Sequence, residues 1–287
     1  MKPEKACRMT HFFQYSDCTF PEIEALPPDT PLVIPLGGGY NLDRLRQALG
    51  APDRIGLLPP IPYGWAGSGL AVPEDRLRSL LLNLVASLRD DGFTQAFVLT
   101  PQETALDLGL AAIHLVHPSQ YAAAQLLPPD AERGRVIVIP VGHTEQHAYH
   151  LPMSTDSLII EAIGLGVQSA APERAFTLPL MPYGVSTHRQ SFAGTLNCGG
   201  RAFEDFWVAV VDVLAGRGFD RIFFINGHGG NHSFLTNVVK YSGERHRRIF
   251  TATSFLYLST EEGIRLLQSL RESPPGGMGH ACELETS

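Results

Sequence analysis

Four short stretches of this chain are apolar almost throughout: Pro31–Leu36 (PLVIPL), Ala96–Leu99 (AFVL), Val136–Val141 (VIVIPV) and Arg221–Ile225 (RIFFI). A strand with one wet face alternates apolar and polar side chains, whereas a strand covered on both faces has no reason to. These runs therefore predict buried parallel strands. Between them the apolar positions take helical spacing. Leu77, Leu80, Leu81, Leu84, Val85 and Leu88 form one stripe, and Phe203, Phe206, Trp207, Val210, Val211 and Leu214 another. Alternating strand and helix predict an α/β fold, a mainly parallel sheet flanked by helices. Ligands of such sheets bind at the carboxyl ends of the strands, so the loops after these runs are where chemistry is expected.

Three strings recur in the same order. Val33-Ile-Pro-Leu-Gly37 matches Val138-Ile-Pro-Val-Gly142, and Ile61-Pro-Tyr-Gly64 matches Met181-Pro-Tyr-Gly184. Gly92-Phe93 with Phe97-Val-Leu99 matches Gly218-Phe219 with Phe223-Phe-Ile225. An ancient duplication is the expectation. The second copy is longer, and its first surplus holds Glu145, His147 and Asp156, where the first copy has only Gly38-Gly-Tyr-Asn41. Gln102 falls where His228 would stand. The expected organisation is a degenerate half without metal ligands at 1–130 and a metal-binding catalytic half at 131–287.

Composition narrows the function classes. A net charge of −7 disfavours a nucleic-acid backbone as partner, since phosphates need cations. No run of eighteen apolar residues predicts a membrane span, and the N-terminus has no apolar core of a secretory signal. Cys7, Cys18, Cys198 and Cys282 lie far apart without a CxxC, which points away from a disulfide framework and towards a reducing cytoplasm.

Polar residues gather after two of the predicted strands. His143, Glu145, His147, His150 and Asp156 lie within one short stretch following Val136–Val141. Imidazole nitrogen and carboxylate oxygen in this mixture suit borderline divalent metals. Glu145 and His147 are two apart, so an extended backbone turns them to one side. The second loop, Asn226-Gly-His228-Gly-Gly-Asn231-His232, follows Arg221–Ile225, and a third polar group, Gly279-His280-Ala-Cys-Glu283-Leu-Glu285-Thr-Ser287, closes the chain. Taken singly, His143, His150 and His232 read as hydrogen-bonded loop histidines, and Asp156 as the cap of a helix starting near Ser157. Taken together, loops at adjacent strand ends read as a metal site. Gly37-Gly-Gly39 and Gly227-His-Gly-Gly230 are neither GxGxxG nor a P-loop, so nucleotide binding has little support.

VIPVGHTEQHAYHLPMSTD resembles the creatininase (creatinine amidohydrolase) family signature, PxGSTEQHGxHLPxxTD. PYGVSTHRQSFAGT resembles the PYGxS…FPGT segment of that family, FINGHGGN its VNGHGGN loop and GHACELETS its HAGExETS segment. The resemblance covers about 134–287. It implies a three-layer α/β fold and a metal-dependent amidohydrolase that cleaves a C–N bond of a small amide, cyclic amide or formamide. It also implies two divalent ions, zinc foremost with manganese or iron as alternatives, which activate a water as hydroxide. Carried over by motif, Glu145 and His228 bind one metal, His147 binds the second and Asp156 bridges them. The position of a further glutamate ligand in creatininase is Gly230 here, so Glu283 is expected in its place with Glu285 as the fallback, and His280 is the expected catalytic histidine. Gln146, Asn226 and Thr155 are candidates for orienting the ligands. A homo-oligomer, a hexamer by resemblance, is also implied.

Four departures bear on this. Ala148-Tyr149 replaces a Gly-Pro-type pair and is expected to change the loop's shape but not its ligands. His188-Arg189 stands where an acidic residue and a histidine are expected, and Arg189 hints at an anionic substrate group. The chain stops at Ser287, directly after ETS, which suggests a truncated C-terminus. Trp65 and Trp207 are the only tryptophans and none follows, so creatinine is not the expected substrate. The alternative function is a catalytically inactive creatininase-like protein used for assembly or ligand sensing.

Overall fold

A computed structural model describes residues 10–102, 104, 106–115, 125–187, 191–256, 258, 260–274 and 279–286. Its strands are β1 (His11–Gln14), β2 (Leu32–Pro35), β3 (Arg54–Leu57), β4 (Ala96–Pro101), β5 (Ala112–Leu115), β6 (Val136–Val141), β7 (Ala175–Thr177), β8 (Arg221–Asn226) and β9 (Phe250–Phe255). Its helices are α1 (Phe20–Glu24), α2 (Leu42–Ala48), α3 (Glu74–Asp90), α4 (Thr155–Ala170), α5 (Gly200–Gly216), α6 (His232–Arg245), α7 (Glu261–Leu270) and α8 (Glu283–Thr286). The four apolar runs became β2, β4, β6 and β8, the strands whose faces are buried. All pairings between named strands are parallel, but the strands form two sheets, β1-β3-β2-β4-β5 and β7-β6-β8-β9.

The two sheets repeat one another beyond strand order. Val33 pairs with Phe97 in the first, and Val138 with Phe223 in the second, which is the register the recurring strings require. Leu36 bridges Ile61 as Val141 bridges Met181. Gly37 N–H donates to Ile61 O at 2.8 Å, and Gly142 N–H to Met181 O at 2.9 Å. α3 and α5 follow the PYG strings in the two halves and pack on each other. The main hydrophobic core runs through both halves, from Leu80, Leu84 and Leu88 to Phe206, Trp207 and Val210, with a smaller cluster on the far face of each sheet around Val33 and Val138. Tyr63 and Tyr183, the tyrosines of the two PYG turns, each cross to the other half. Tyr63 packs edge-on to Trp207, and Tyr183 OH donates to Pro59 O at 2.5 Å.

Backbone bonds also stitch the halves at the rim of the second sheet. Met153 N–H donates to Cys18 O and Ser154 N–H to Ser16 O, at 2.9 and 3.1 Å. Residues 16–18 thereby brace the loop that leads from His147 to Asp156. Cys18, Cys198 and Cys282 are free thiols. Among the described residues no helix is long and apolar enough to cross a membrane.

Candidate metal centre

The polar loops converge at the carboxyl ends of β6 and β8. Glycines make the approach possible. A Cβ on Gly142 would stand 2.7 Å from Ser157 Cα, and one on Gly227 would stand 2.6 Å from Asp156 O. The strand-end loops can therefore close onto the start of α4. Asn226 and Asn231 fix the second loop. Asn226 Nδ2 donates to His228 O (2.8 Å), its Oδ1 accepts from His228 N–H (3.1 Å), and Asn231 Nδ2 donates to Gly142 O (3.2 Å).

Each of the two central histidines has one nitrogen committed to a carbonyl. His228 Nε2 lies 3.1 Å from Val185 O, and His147 Nδ1 lies 3.1 Å from Glu145 O. A carbonyl only accepts, so these nitrogens carry the protons and the opposite nitrogens present lone pairs in the neutral rings. The lone pair of His228 Nδ1 then faces Glu145 Oε1 at 3.1 Å and Asp156 Oδ2 at 3.0 Å. That of His147 Nε2 faces Asp156 Oδ1 at 3.2 Å and Glu285 Oε2 at 3.9 Å. Lone pairs and carboxylates repel unless a cation or a proton stands between them. In the protein alone the proton does this. Burial opposes charge on His228, but hydrogen bonding to Asp156 and Glu145 outweighs it and pushes the imidazole up to about 10. Burial raises Glu145 and His228 lowers it, with a net fall to about 2. The pulls on Asp156 are similar and leave it well below the ordinary carboxylate range, while the same balance raises His147.

Divalent cations fit this donor set. Asp156 turns one oxygen to each histidine, and its side chain is buried. Asp156 is not a cap. It is the second residue of α4, whose N-cap is Ser154, and its side chain points into the cluster. Ser186 Oγ donates to Glu145 Oε2 at 3.1 Å and orients that carboxylate. Gln146 N–H donates to Thr195 Oγ1 at 3.2 Å, and Gln146 Oε1 accepts from Ala148 N–H at 2.9 Å. Thr155 Oγ instead donates to Pro152 O within the helix start. His280 Nε2 bonds Gln146 O, and its Nδ1 lies 3.5 Å from Glu145 Oε1, with its ring against that of His147 at 4.2 Å. Unlike His147 and His228 it is partly exposed.

The structure departs from expectation at several places. Glu283, the expected fifth ligand, is turned away. Its carboxylate accepts from Glu272 N–H at 2.6 Å and Ser273 N–H at 2.8 Å, and hydrogen bonding at Ser273 and Glu272 holds it down at about 2. Glu285 reaches the cluster, and burial raises its carboxyl. Gly230 cannot carry a ligand as the loop stands, because a Cβ there would lie 2.3 Å from Val185 O and 2.4 Å from His228 Nε2. Ala148 takes φ +52°, so the loop keeps a left-handed turn suited to glycine despite its alanine. His143, read from sequence as an ordinary loop histidine, is fully buried beside His228 (ring centroids 4.2 Å apart). His150 reaches from its loop to α8, its Nε2 lying 3.3 Å from Thr286 Oγ1, and His232 is exposed at the start of α6. His188 and Arg189 lie outside the described residues. Trp65 and Trp207 are core residues, not available to close over a ligand. Ser186 and Val185 were missed, and the PYGVS string was their only signal.

A family model described as "Creatinine amidohydrolase" matches residues 122–287. The "Mycofactocin precursor peptide peptidase" of Mycobacterium ulcerans (strain Agy99) is 38% identical over 115 residues, covering 36% of this chain and 44% of that protein. The "Creatinine amidohydrolase" of Pseudomonas putida is 30% identical over 105 residues, covering 35% of this chain and 40% of that one. The chain thus spans less than half the length of these curated relatives. A solved structure titled "Creatininase Mn" aligns with a TM-score of 0.50 at 24% identity, over 55% of this chain and 65% of that chain, and shows a shared fold.

Proposed function

This chain belongs to the creatininase family, and on that premise we propose that it is a metal-dependent hydrolase of the C–N bond of an amide. One relative is named for a peptide and another for creatinine, and an amide bond is common to a peptidase and an amidohydrolase. The observation that carries the reading is Asp156, whose two oxygens face the lone pairs of two differently anchored histidines. His228, Glu145 and Asp156 Oδ2 would hold one divalent cation; His147, Asp156 Oδ1 and Glu285 would hold the other. Zinc suits the nitrogen and oxygen donors best, with manganese or iron as alternatives. When bound, the two ions supply an activated water and polarisation of the amide carbonyl.

The chain's own residues do the rest. Val185 O and Glu145 O fix the tautomers of the two ligand histidines, and Ser186 fixes the Glu145 carboxylate. His280 is held through Nε2, which leaves Nδ1 to carry a proton to the departing nitrogen. Its partial exposure lets that proton be renewed from water. We further propose that like chains assemble through the outer face of α4, where Leu158 and Leu165 are 56% and 60% exposed.

The test is elemental analysis of protein purified without chelator, followed by assay on linear amides, cyclic amides and short peptides. About two metals per chain, with activity lost to chelator and restored by metal, is the expected result. Folded protein with two metals and no amide hydrolysis would favour a ligand-sensing role, and folded protein that takes up no metal would remove the reading altogether.

A further inference from the structure

His143 is buried at the metal centre with one nitrogen unaccounted for. Its Nδ1 accepts from Gly184 N–H at 2.9 Å. Gly184 is itself pinned, since a Cβ there would stand 2.2 Å from Asn231 Oδ1, and Asn231 Oδ1 also accepts from the neighbouring Val185 N–H at 2.8 Å. An imidazole whose Nδ1 accepts must carry its proton on Nε2 when neutral. Accepting at Nδ1 itself requires a neutral ring, because a doubly protonated imidazole has no lone pair there. Nε2–H is therefore a donor. It is inaccessible to solvent and has no hydrogen-bond partner among the described residues. A buried donor left unpaired forfeits its hydration with nothing in return, so native proteins supply it with an acceptor.

The ring's position indicates the acceptor. A ring nitrogen of His143, a carboxylate oxygen of Glu145 and a ring nitrogen of His228 all lie within 4.8 Å of one another. Direct metal ligation by Nε2 would need the proton on Nδ1, where it would confront Gly184 N–H. We infer that His143 is a neutral donor whose Nε2–H binds an oxygen of the substrate lodged at the metal pair, the amide carbonyl oxygen as it gains negative charge. A fixed donor aimed at developing charge in a dry site is an effective way to lower such a barrier. This inference rests on the hydrolase reading above.

Two substitutions separate the donor from the Gly184 contact. His143→Asn places an oxygen near Nδ1, keeps an acceptor for Gly184 N–H and removes the donor at Nε2. His143→Gln places an amide N–H near Nε2 and gives up the acceptor at Nδ1. The probe is acetohydroxamate, an oxygen ligand for paired metals, titrated by calorimetry into metal-loaded protein alongside metal analysis and thermal melts. The expected result is that Asn keeps two metals and melts close to wild type but binds the probe about tenfold or more weakly. Gln should recover much of that affinity while melting roughly 2–4 °C lower. Unchanged probe affinity in Asn, loss of a metal in Asn, or Gln binding no better than Asn would each overturn the inference. So would a wild type that holds two metals and does not bind the probe. A wild type without metals would fail at the analysis step and overturn the hydrolase reading and this inference together.

Discussion

Replacing Asp156 by asparagine tests the centre at its shared point. Its two oxygens lie 3.2 Å from His147 Nε2 and 3.0 Å from His228 Nδ1, and no other carboxylate among the described residues faces both histidines at these distances. Asparagine keeps the shape and removes the charge. Each cation would then lose one of its two carboxylates. Loss even of a group that only supports a ligand costs roughly 10–100-fold in metal affinity, so at least that is expected at each site. Affinity for the pair should therefore fall by roughly 100–10,000-fold. Glu145→Gln, by contrast, touches only the site of His228. The helix should survive, since Asp156 does not cap it and favourable charge in its first turn contributes only about 0.3–1 kcal/mol. Elemental analysis after dialysis against metal-free buffer, with circular dichroism to confirm folding, should give about two metals in wild type, one in Glu145→Gln and none in Asp156→Asn. Asp156→Asn that retains one metal while Glu145→Gln also retains one would show that the aspartate serves a single site. Retention of two would remove the centre as described.

The fifth ligand is tested by a pair: Glu285→Gln should weaken the His147 site by at least about tenfold while Glu283→Gln leaves metal content unchanged, and the reverse in the same metal analysis would reinstate Glu283. Ala148→Gly should raise stability by about 1 kcal/mol in a denaturant titration, because alanine at φ +52° pays for a left-handed backbone that glycine adopts freely. In metal-free protein His228 is pushed from 6.5 to about 10, so the stability it contributes is complete below about pH 6.5 and drains away as pH rises through 10. Thermal melts with chelator should fall across that window and melts with metal should not, since the cation takes the place of the proton; metal-free melts that rise with pH there would contradict the assignment.

What sequence could reveal followed from burial. β2, β4, β6 and β8 lie inside the sheets and wear apolar side chains on both faces, so they stood out as runs. β1, β3, β5, β7 and β9 did not. HFFQ, RIGL, AIHL and AFT are three or four residues long and none is buried throughout as the equally short β2 is, and FTATSF is only half-buried at a sheet edge. None of these strings differs from loop in pattern. Glu145, His147, Asp156 and His228 were legible as unusual densities of imidazole and carboxylate at strand ends. The choice between Glu283 and Glu285 was not. Two residues apart in α8 they point about 200° apart around the axis, so only one can face the centre, and nothing in ELET says which. His143 was misjudged because a histidine in a polar loop reads as wet until the packing of Gly184 and His228 around it is known.

The repeated register of β2–β4 and β6–β8 leads to a statement about domains. We propose that the halves are copies that no longer fold apart. Phe206 and Trp207 of α5 are wholly buried, and part of their cover comes from the first half, where Tyr63 packs on Trp207 and the Gly64 backbone sits against Phe206. Asn83 Nδ2 donates to Cys198 O at 2.7 Å, and Asp91 Oδ2 accepts from Gly194 N–H at 2.8 Å, both across the same seam. Uncovering a large apolar side chain costs about 1.5–3 kcal/mol. Met153, Tyr183, Phe206 and Trp207 would each lose part of that, together a sizeable share of the about 5–15 kcal/mol that holds a typical domain folded. Residues 131–287 expressed alone should accordingly be molten or aggregated, binding a hydrophobic dye and holding no metal pair. If that segment melts cooperatively and retains two metals, the first half is an appendage and the shared core is incidental. If it does not, the half without metal ligands persists because it supplies the wall on which α5 and the Asp156 loop are built.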